Sequence, residues 1–223
     1  MGATARVRRP LDRDVILAAA LELAEDGGPD ALSVRKLGQA LGTDPTAIYR
    51  HFRDMEELTN AALDRILGVL VDSADVALPW RQRLMAFAEE SIGVARRYPA
   101  IAPSVVLSRP TGPDELRSVE FVLQAFADAG LADQEQLDFY VLYVSYVLLF
   151  AAGSVAVDQS SDAVPWPDQP WIESMPAVPT DRFPQVTAAL PRLLALRAHA
   201  VFRSGLDIIL DSAEARARST SVS

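Results

Sequence analysis

Cysteine is absent from this chain. Disulfides and thiolate metal sites are excluded, and the fold is indifferent to the redox state of its compartment. Histidine is scarce: His51 and His199 lie far apart, and no carboxylate motif accompanies either, so no metal and no cofactor are expected. There is no glycine-rich phosphate loop and no His–carboxylate cluster with metal spacing, so the chain does not read as an enzyme. No long stretch alternates apolar and polar residues as a half-buried strand would. Met1–Pro10 has no apolar core of a secretory signal, and a cytoplasmic location is expected.

Basic charge is also in short supply. The 223 residues carry 21 Lys/Arg against 30 Asp/Glu, a net charge of −9. The deficit is uneven. Residues 1–55 hold equal numbers of basic and acidic side chains, and the whole acidic excess falls in the remainder. The N-terminal part can therefore approach phosphate, while the rest repels it. Arg6, Arg8 and Arg9 precede any acidic residue and read equally as a DNA-touching arm or a solvated tail. One run, Phe139–Val157, has no charge and reaches the length of a membrane span. Three tyrosines within it and the flanking Asp138 and Asp158, where basic residues are wanted, favour instead a helix buried all round in a soluble protein.

What the chain does have is helical periodicity and helix punctuation, so the expected class is all-α. Asp12 is a good N-cap, and Ile16, Ala19, Ala20, Leu23 and Ala24 follow on one face until Gly27-Gly28-Pro29. Ser33 caps a short second helix with Leu37 and Leu41 inward, and Gly42 suits its left-handed end. Asp44 caps a third helix with Pro45 at its first position. Asp54 with Glu57 three residues on forms a capping box for a fourth, continued by Leu58, Ala62, Ile66 and Leu70. Further helices are expected at about 80–97, 100–108, 113–129, 134–157, 182–189 and 191–215. Residues 158–181 form a proline-rich loop carrying Trp166 and Trp171, readable as a lid or as a surface excursion.

Two short helices joined by a glycine-containing turn and braced by a preceding helix form a helix-turn-helix. Its reader must be short and exposed, because its side chains enter the major groove. Thr46, Tyr49, Arg50, His51 and Arg53 supply a polar outer face, while Ile48 and Phe52 hold the segment to its scaffold. Arg50 suits either guanine or phosphate, and Thr46 and Tyr49 offer hydroxyls to phosphate. Arg35 and Lys36 occupy the first turn of the second helix, where backbone amides also attract phosphate. The run LSVRKLGQALGTDPTAIYRHFRDMEEL, Leu32–Leu58, resembles the DNA-binding segment of TetR-family repressors. The resemblance covers residues 10–70 and implies a symmetric dimer on double-stranded operator DNA, released by a small-molecule effector. It implies DNA contacts from Arg35, Lys36, Thr43, Asp44, Thr46, Ala47, Tyr49, Arg50, His51 and Arg53. Many members carry a lysine, a phosphate contact, where this chain has Met55; whether Arg53 takes over that contact is left open by the sequence.

These readings divide the chain into a DNA-binding domain, 1–56, and a ligand-binding and dimerisation domain, 57–223. In the second, Phe139, Tyr143, Tyr146 and Phe150 recur on one face of a long apolar helix and are candidates for lining a ligand cavity, closed by Phe87, Phe121 and Phe126. The alternative is ordinary core or dimer interface. A last helix starting at Pro191 carries a stripe of Leu194, Ala198, Val201, Gly205 and Ile208, whose small residues suit a helix-to-helix dimer seam. Two readings compete with a DNA-binding regulator: a helical adaptor that never touches DNA, and an enzyme housed in the helical cavity.

Overall fold

The computed structural model describes residues 10–28, 30–106, 112–156 and 182–220. The arginine arm at 6–9 and the proline-rich loop lie outside these residues. Eight α-helices and two short 3-10 segments follow one another, with no strand among the described residues.

Local capping places the first four elements. Asp12 Oδ1 accepts from Val15 N–H at 2.8 Å and starts α1 (Arg13–Asp26). Ser33 Oγ accepts from Lys36 N–H and starts α2 (Val34–Leu41), which ends at Gly42 with φ 61°, a torsion that glycine adopts without a Cβ clash. Asp44 opens the segment Pro45–Arg50, accepting from both the amide and the hydroxyl of Thr46. That segment is a 3-10 turn rather than the expected α-helix. It is six residues long, with Pro45 at its start. Asp54 caps α3 (Met55–Ser73) through Glu57 N–H at 2.7 Å, and Glu57 reaches back to Arg53 N–H at 2.7 Å.

The C-terminal part comprises α4 (Trp80–Arg97), a 3-10 turn at Ala102–Val106, α5 (Pro113–Asp128), α6 (Asp133–Ala156), α7 (Pro184–Leu194) and α8 (Ala198–Thr220). There are two apolar cores. One gathers Ile16 and Ala20 of α1, Leu37 of α2, Ile48, Phe52, and Leu58, Ala62 and Ile66 of α3. The other joins Leu84 and Phe87, Phe126, Tyr143 and Val147, and Leu206 and Leu210 from α4, α5, α6 and α8. Leu70 of α3 belongs to the second core, and Leu67 packs against both. At about 1.5 Å per residue α3 spans roughly 28 Å, running from the end of the helix-turn-helix into the second core.

Three expectations change. The helix expected at 100–108 is only the short 3-10 turn. Pro191 does not open the last helix; it sits inside α7, which buries no residue and tolerates the missing N–H. The last helix instead starts at Ala198, where the buried face Ala198, Phe202, Leu206, Ile209, Ala213 and Ala217 begins. The stripe that was to be its seam is therefore offset: Leu194 belongs to α7, Val201 and Ile208 are exposed, and Gly205 meets Tyr146 of the same chain. Finally, α6 is not buried all round. Tyr143, Val147 and Ala151 face inward, while Val141, Leu142 and Leu149 stand exposed on the opposite side.

Candidate functional site

The reader is a thin polar face over a buried anchor. Ile48 and Phe52 are each 1% exposed, and burying a side chain of that size contributes about 1.5–3 kcal/mol. Arg35, Asp44, Thr46, Tyr49, Arg50 and Arg53 are exposed, so six of the ten expected contact residues lie open to a partner. Thr43, Ala47 and His51 are half-buried, and Lys36 is tied by its ammonium to the Asp30 carbonyl at 2.7 Å. Asp44 spends its carboxylate on Thr46, whose hydroxyl first and amide second hold its pKa below the usual value. Its part is to shape the segment. Gly38 lets the two elements of the motif meet, since a Cβ there would lie 3.0 Å from Pro45 Cγ and 3.1 Å from the Thr43 carbonyl.

Sequence reasoning missed Arg13. Its guanidinium lies 4.0 Å from the centre of the Phe52 ring, donates to the His51 carbonyl and pairs with Glu57 Oε1 at 2.9 Å. One side chain of α1 thus clamps the end of the reader to the start of α3. The amide of Arg53, then Arg13, holds the Glu57 carboxyl below its usual pKa. Asp54 is lowered by the Glu57 amide first and Arg53 second.

Between α3, α4, α5, α6 and the second 3-10 turn lies a partly open cavity of about 240 Å³, lined by Leu67, Leu70, Val119, Val122, Val144 and Val147 among others. A smaller space of about 60 Å³ adjoins it, sharing Leu67, Leu70, Ser91, Val105 and Leu148. Polar groups are few: Ser91, whose hydroxyl donates to the Phe87 carbonyl, Ser118, Glu115, Tyr140 and Tyr143. Burial and then the charge of Glu115 push the Tyr140 phenol above its usual pKa. Tyr143 is buried, with its hydroxyl donating to the Leu84 carbonyl at 2.7 Å, and burial raises its pKa.

Of the seven aromatic residues expected around one cavity, only Phe87 and Tyr143 line it. Phe121 stacks behind Phe87 at 4.8 Å. Phe126 lies between Phe139 and Tyr143 at 6.0 Å from each, in the core. Tyr146 and Phe150 turn to Phe202 of α8. The stripe splits because α6 changes neighbours along its 24 residues, meeting α5 near its start and α8 further on. The cavity wall of α6 is an adjacent face, Tyr140, Val144, Val147 and Leu148, whose apolar members carried no signal beyond core. Among the described residues no group of three or more His, Cys, Asp or Glu is placed to hold a metal ion.

Comparison with known proteins finds two family matches along the chain. The family described as "Bacterial regulatory proteins, tetR family" matches residues 16–62. The one described as "Tetracyclin repressor-like, C-terminal domain" matches residues 77–217. The HTH-type transcriptional repressor DrrR1 of Streptomyces coeruleorubidus is 32% identical over 140 residues, 62% of this chain and 52% of that protein. The class A tetracycline repressor protein from transposon 1721 of Escherichia coli is 26% identical over 206 residues, 90% of this chain and 89% of that protein. Against the first three curated relatives the aligned stretch spans 52%, 63% and 60% of their own lengths. A putative transcriptional regulator of Streptomyces coelicolor A3(2), known as a crystal structure, superposes with a TM-score of 0.73 at 30% identity, covering 93% of this chain and 98% of that one. On both family matches, which together cover most of the chain, it belongs to the TetR family of bacterial regulatory proteins.

Proposed function

We propose that the chain is a cytoplasmic, one-component repressor that grips operator DNA as a homodimer and lets go when a small molecule fills its sensor cavity. One observation carries this reading: the exposed Thr46, Tyr49 and Arg50 stand on a segment anchored by Ile48 and Phe52, and α3, which starts after four intervening residues, ends in the wall of an apolar cavity. Residues 1–56 act as reader and 57–223 as sensor, with the stem α3 shared between them. Arg35, Thr46, Tyr49, Arg50 and Arg53 contact DNA; Lys36 and His51 shape the surface around them. No catalytic step is assigned. The two adjoining spaces suit a small, mostly apolar effector, near the lower end of the roughly 300–1,000 Å³ range of ligand pockets.

The dimer explains the open side of α6. This helix has the length and composition of a membrane span. Its inward side packs on α4, α5 and α8, and its exposed Val141, Leu142 and Leu149, with Ile208 of α8, fit the same faces of a second copy. Symmetry about that seam sets two readers on successive major grooves of a palindrome.

The test is fluorescence anisotropy of the protein on labelled DNA from upstream of its own gene, with random DNA as control, over a salt series. Selective binding with a steep salt slope supports the reading, because phosphate contacts release counterions. In the same assay Arg50→Ala weakens operator binding by about 1–3 kcal/mol and relaxes selectivity if Arg50 reads a base; equal losses on both DNAs make it a phosphate contact. No binding to any genomic DNA fragment at low salt refutes the repressor and favours an adaptor.

A further inference from the structure

The start of α5 lacks a cap of its own. Its N-cap is Gly112, which has no side chain to accept from the first-turn amides. Asp64 of α3 supplies the acceptor from 51 residues away: its Oδ1 takes the Glu115 N–H at 2.8 Å. The fit is close enough to require glycine for space, since a Cβ on Gly112 would lie 2.0 Å from both Cγ and Oδ1 of Asp64. The torsion is not the reason, because Gly112 has φ −108°. One turn along α3 the relation reverses: a Cβ on Gly68 would lie 2.5 Å from Asp114 Oδ2. A further turn on, Asp72 pairs with Arg117, which also holds Asp114 at 2.8 Å. Asp64, Gly68 and Asp72 form one stripe at four-residue spacing, mated to residues 112–117 of α5. On their inward sides the same two helices wall the cavity, through Leu67 and Leu70 of α3 and Ser118, Val119 and Val122 of α5.

We propose that Asp64 is a positioning residue that couples the sensor cavity to the DNA reader: by capping α5 from α3 it makes one cavity wall and the reader's stem move as a unit. The inference rests on reading α3 as that stem. The apolar contacts between the two helices hold them together but are not directional, and the Asp72–Arg117 pair that also joins them is half-exposed and weak. A charge-assisted bond to a helix N-terminus is directional, and it fixes register. An effector that displaces α5 then delivers the displacement to residues 45–54. Without the cap, α3 slides on α5 and the reader's position no longer follows the cavity. The coupling is bounded by the effector's differential affinity for the two states.

The natural absence of cysteine permits a clean distance test on the full chain. Nitroxide labels are placed at the exposed Gln39→Cys on α2 and Gln124→Cys on α5, with labelled protein diluted in unlabelled chain so that pairs within one protomer dominate. The unsubstituted seam gives a narrow distance distribution. Asp64→Ala broadens it, Asp64→Asn, which keeps an acceptor oxygen, restores it, and Gly112→Ala broadens it with Asp64 still present. The double variant Asp64→Ala/Gly112→Ala is no worse than Asp64→Ala, because the space for the added Cβ has been opened; this non-additivity marks the contact. Operator affinity follows the same order, with losses of about fivefold or more in the two broadened single variants, the lower end of typical coupling factors. Widths unchanged in Asp64→Ala, a broadened Asp64→Asn, or additive effects in the double variant overturn the proposal. The distances are read without DNA, so a protein that binds no operator refutes the repressor reading and leaves this result standing.

Discussion

Removing the Arg13 side chain tests how the reader is held, and its effect can be worked out from the structure. Three interactions share one guanidinium. The pair with Glu57 at 2.9 Å is half-exposed and worth at most about 1 kcal/mol. Stacking at 4.0 Å on Phe52 adds about 0.5–1 kcal/mol. The bond to the His51 carbonyl adds about 0.5–1.5 kcal/mol, less what water recovers at a half-exposed group. The three are not independent, so Arg13→Ala is expected to cost about 1–2 kcal/mol rather than their full sum. The assay is urea unfolding followed by circular dichroism, with the midpoint falling at an unchanged slope. Arg13→Lys separates charge from shape: an ammonium keeps the Glu57 pair but loses the planar fork that stacks and donates together. It should recover less than half of the loss. Operator affinity should fall in both variants, because His51 ends the reader segment and Phe52 anchors it. A lysine variant as stable as the natural chain, or a midpoint shift in Arg13→Ala corresponding to under about 0.5 kcal/mol, the level of an indifferent surface change, refutes the clamp.

Other predictions follow from the same geometry. Gly205→Ala sets a Cβ 2.0 Å from the Tyr146 hydroxyl and is expected to destabilise by about 1–3 kcal/mol, with Tyr146→Phe relieving part of it in the double variant; calorimetric melting checks both. Leu149→Asp together with Ile208→Asp places charge on the open faces of α6 and α8 and is expected to yield monomers by light scattering with helical content retained. Asp44, Asp54 and Glu57 titrate below their usual values in the folded chain. Depressed carboxyls stabilise fully above the unfolded pKa values, near 4, and lose that contribution as pH falls through the folded ones. Unfolding midpoints should therefore be flat from about pH 5 to 7 with respect to these groups and drop below about pH 4, and Asp54→Asn with Glu57→Gln should flatten the acid limb.

The parts of the fold that could be read from the sequence are those set by near neighbours. Asp12, Ser33, Asp44 and Asp54 each cap the element expected of them, because a cap is a bond across two or three residues. Gly42 takes the left-handed torsion where a helix was expected to end. Ile48 and Phe52 are buried beneath an exposed Thr46, Tyr49 and Arg50, as one short amphipathic segment requires. The cavity was legible only in part. Periodicity put Phe139, Tyr143, Tyr146 and Phe150 on one face, and they do share a side of α6, but a face has no partner until other helices arrive. α5 and α8 divided it between them, and the cavity formed on the side marked by Tyr140, Val144 and Val147.

The sequence by itself determined an all-helical chain, a helix-turn-helix near its N-terminus, its buried anchors Ile48 and Phe52, and a C-terminal part that carries the whole acidic excess. Each follows from hydrophobic period, capping or charge count, which are local or additive properties. Only the tertiary structure decided the clamp of Arg13 on residues 51–57, the seam of Asp64, Gly68 and Asp72 against the start of α5, and which wall of α6 encloses the cavity. The clamp and the seam join residues about 40 to 50 positions apart and the cavity wall residues still further apart, and nothing in a local pattern states which distant helix will lie against a given face. The approach of α3 to α5 turns on two glycines whose missing Cβ atoms matter only once both helices are in place.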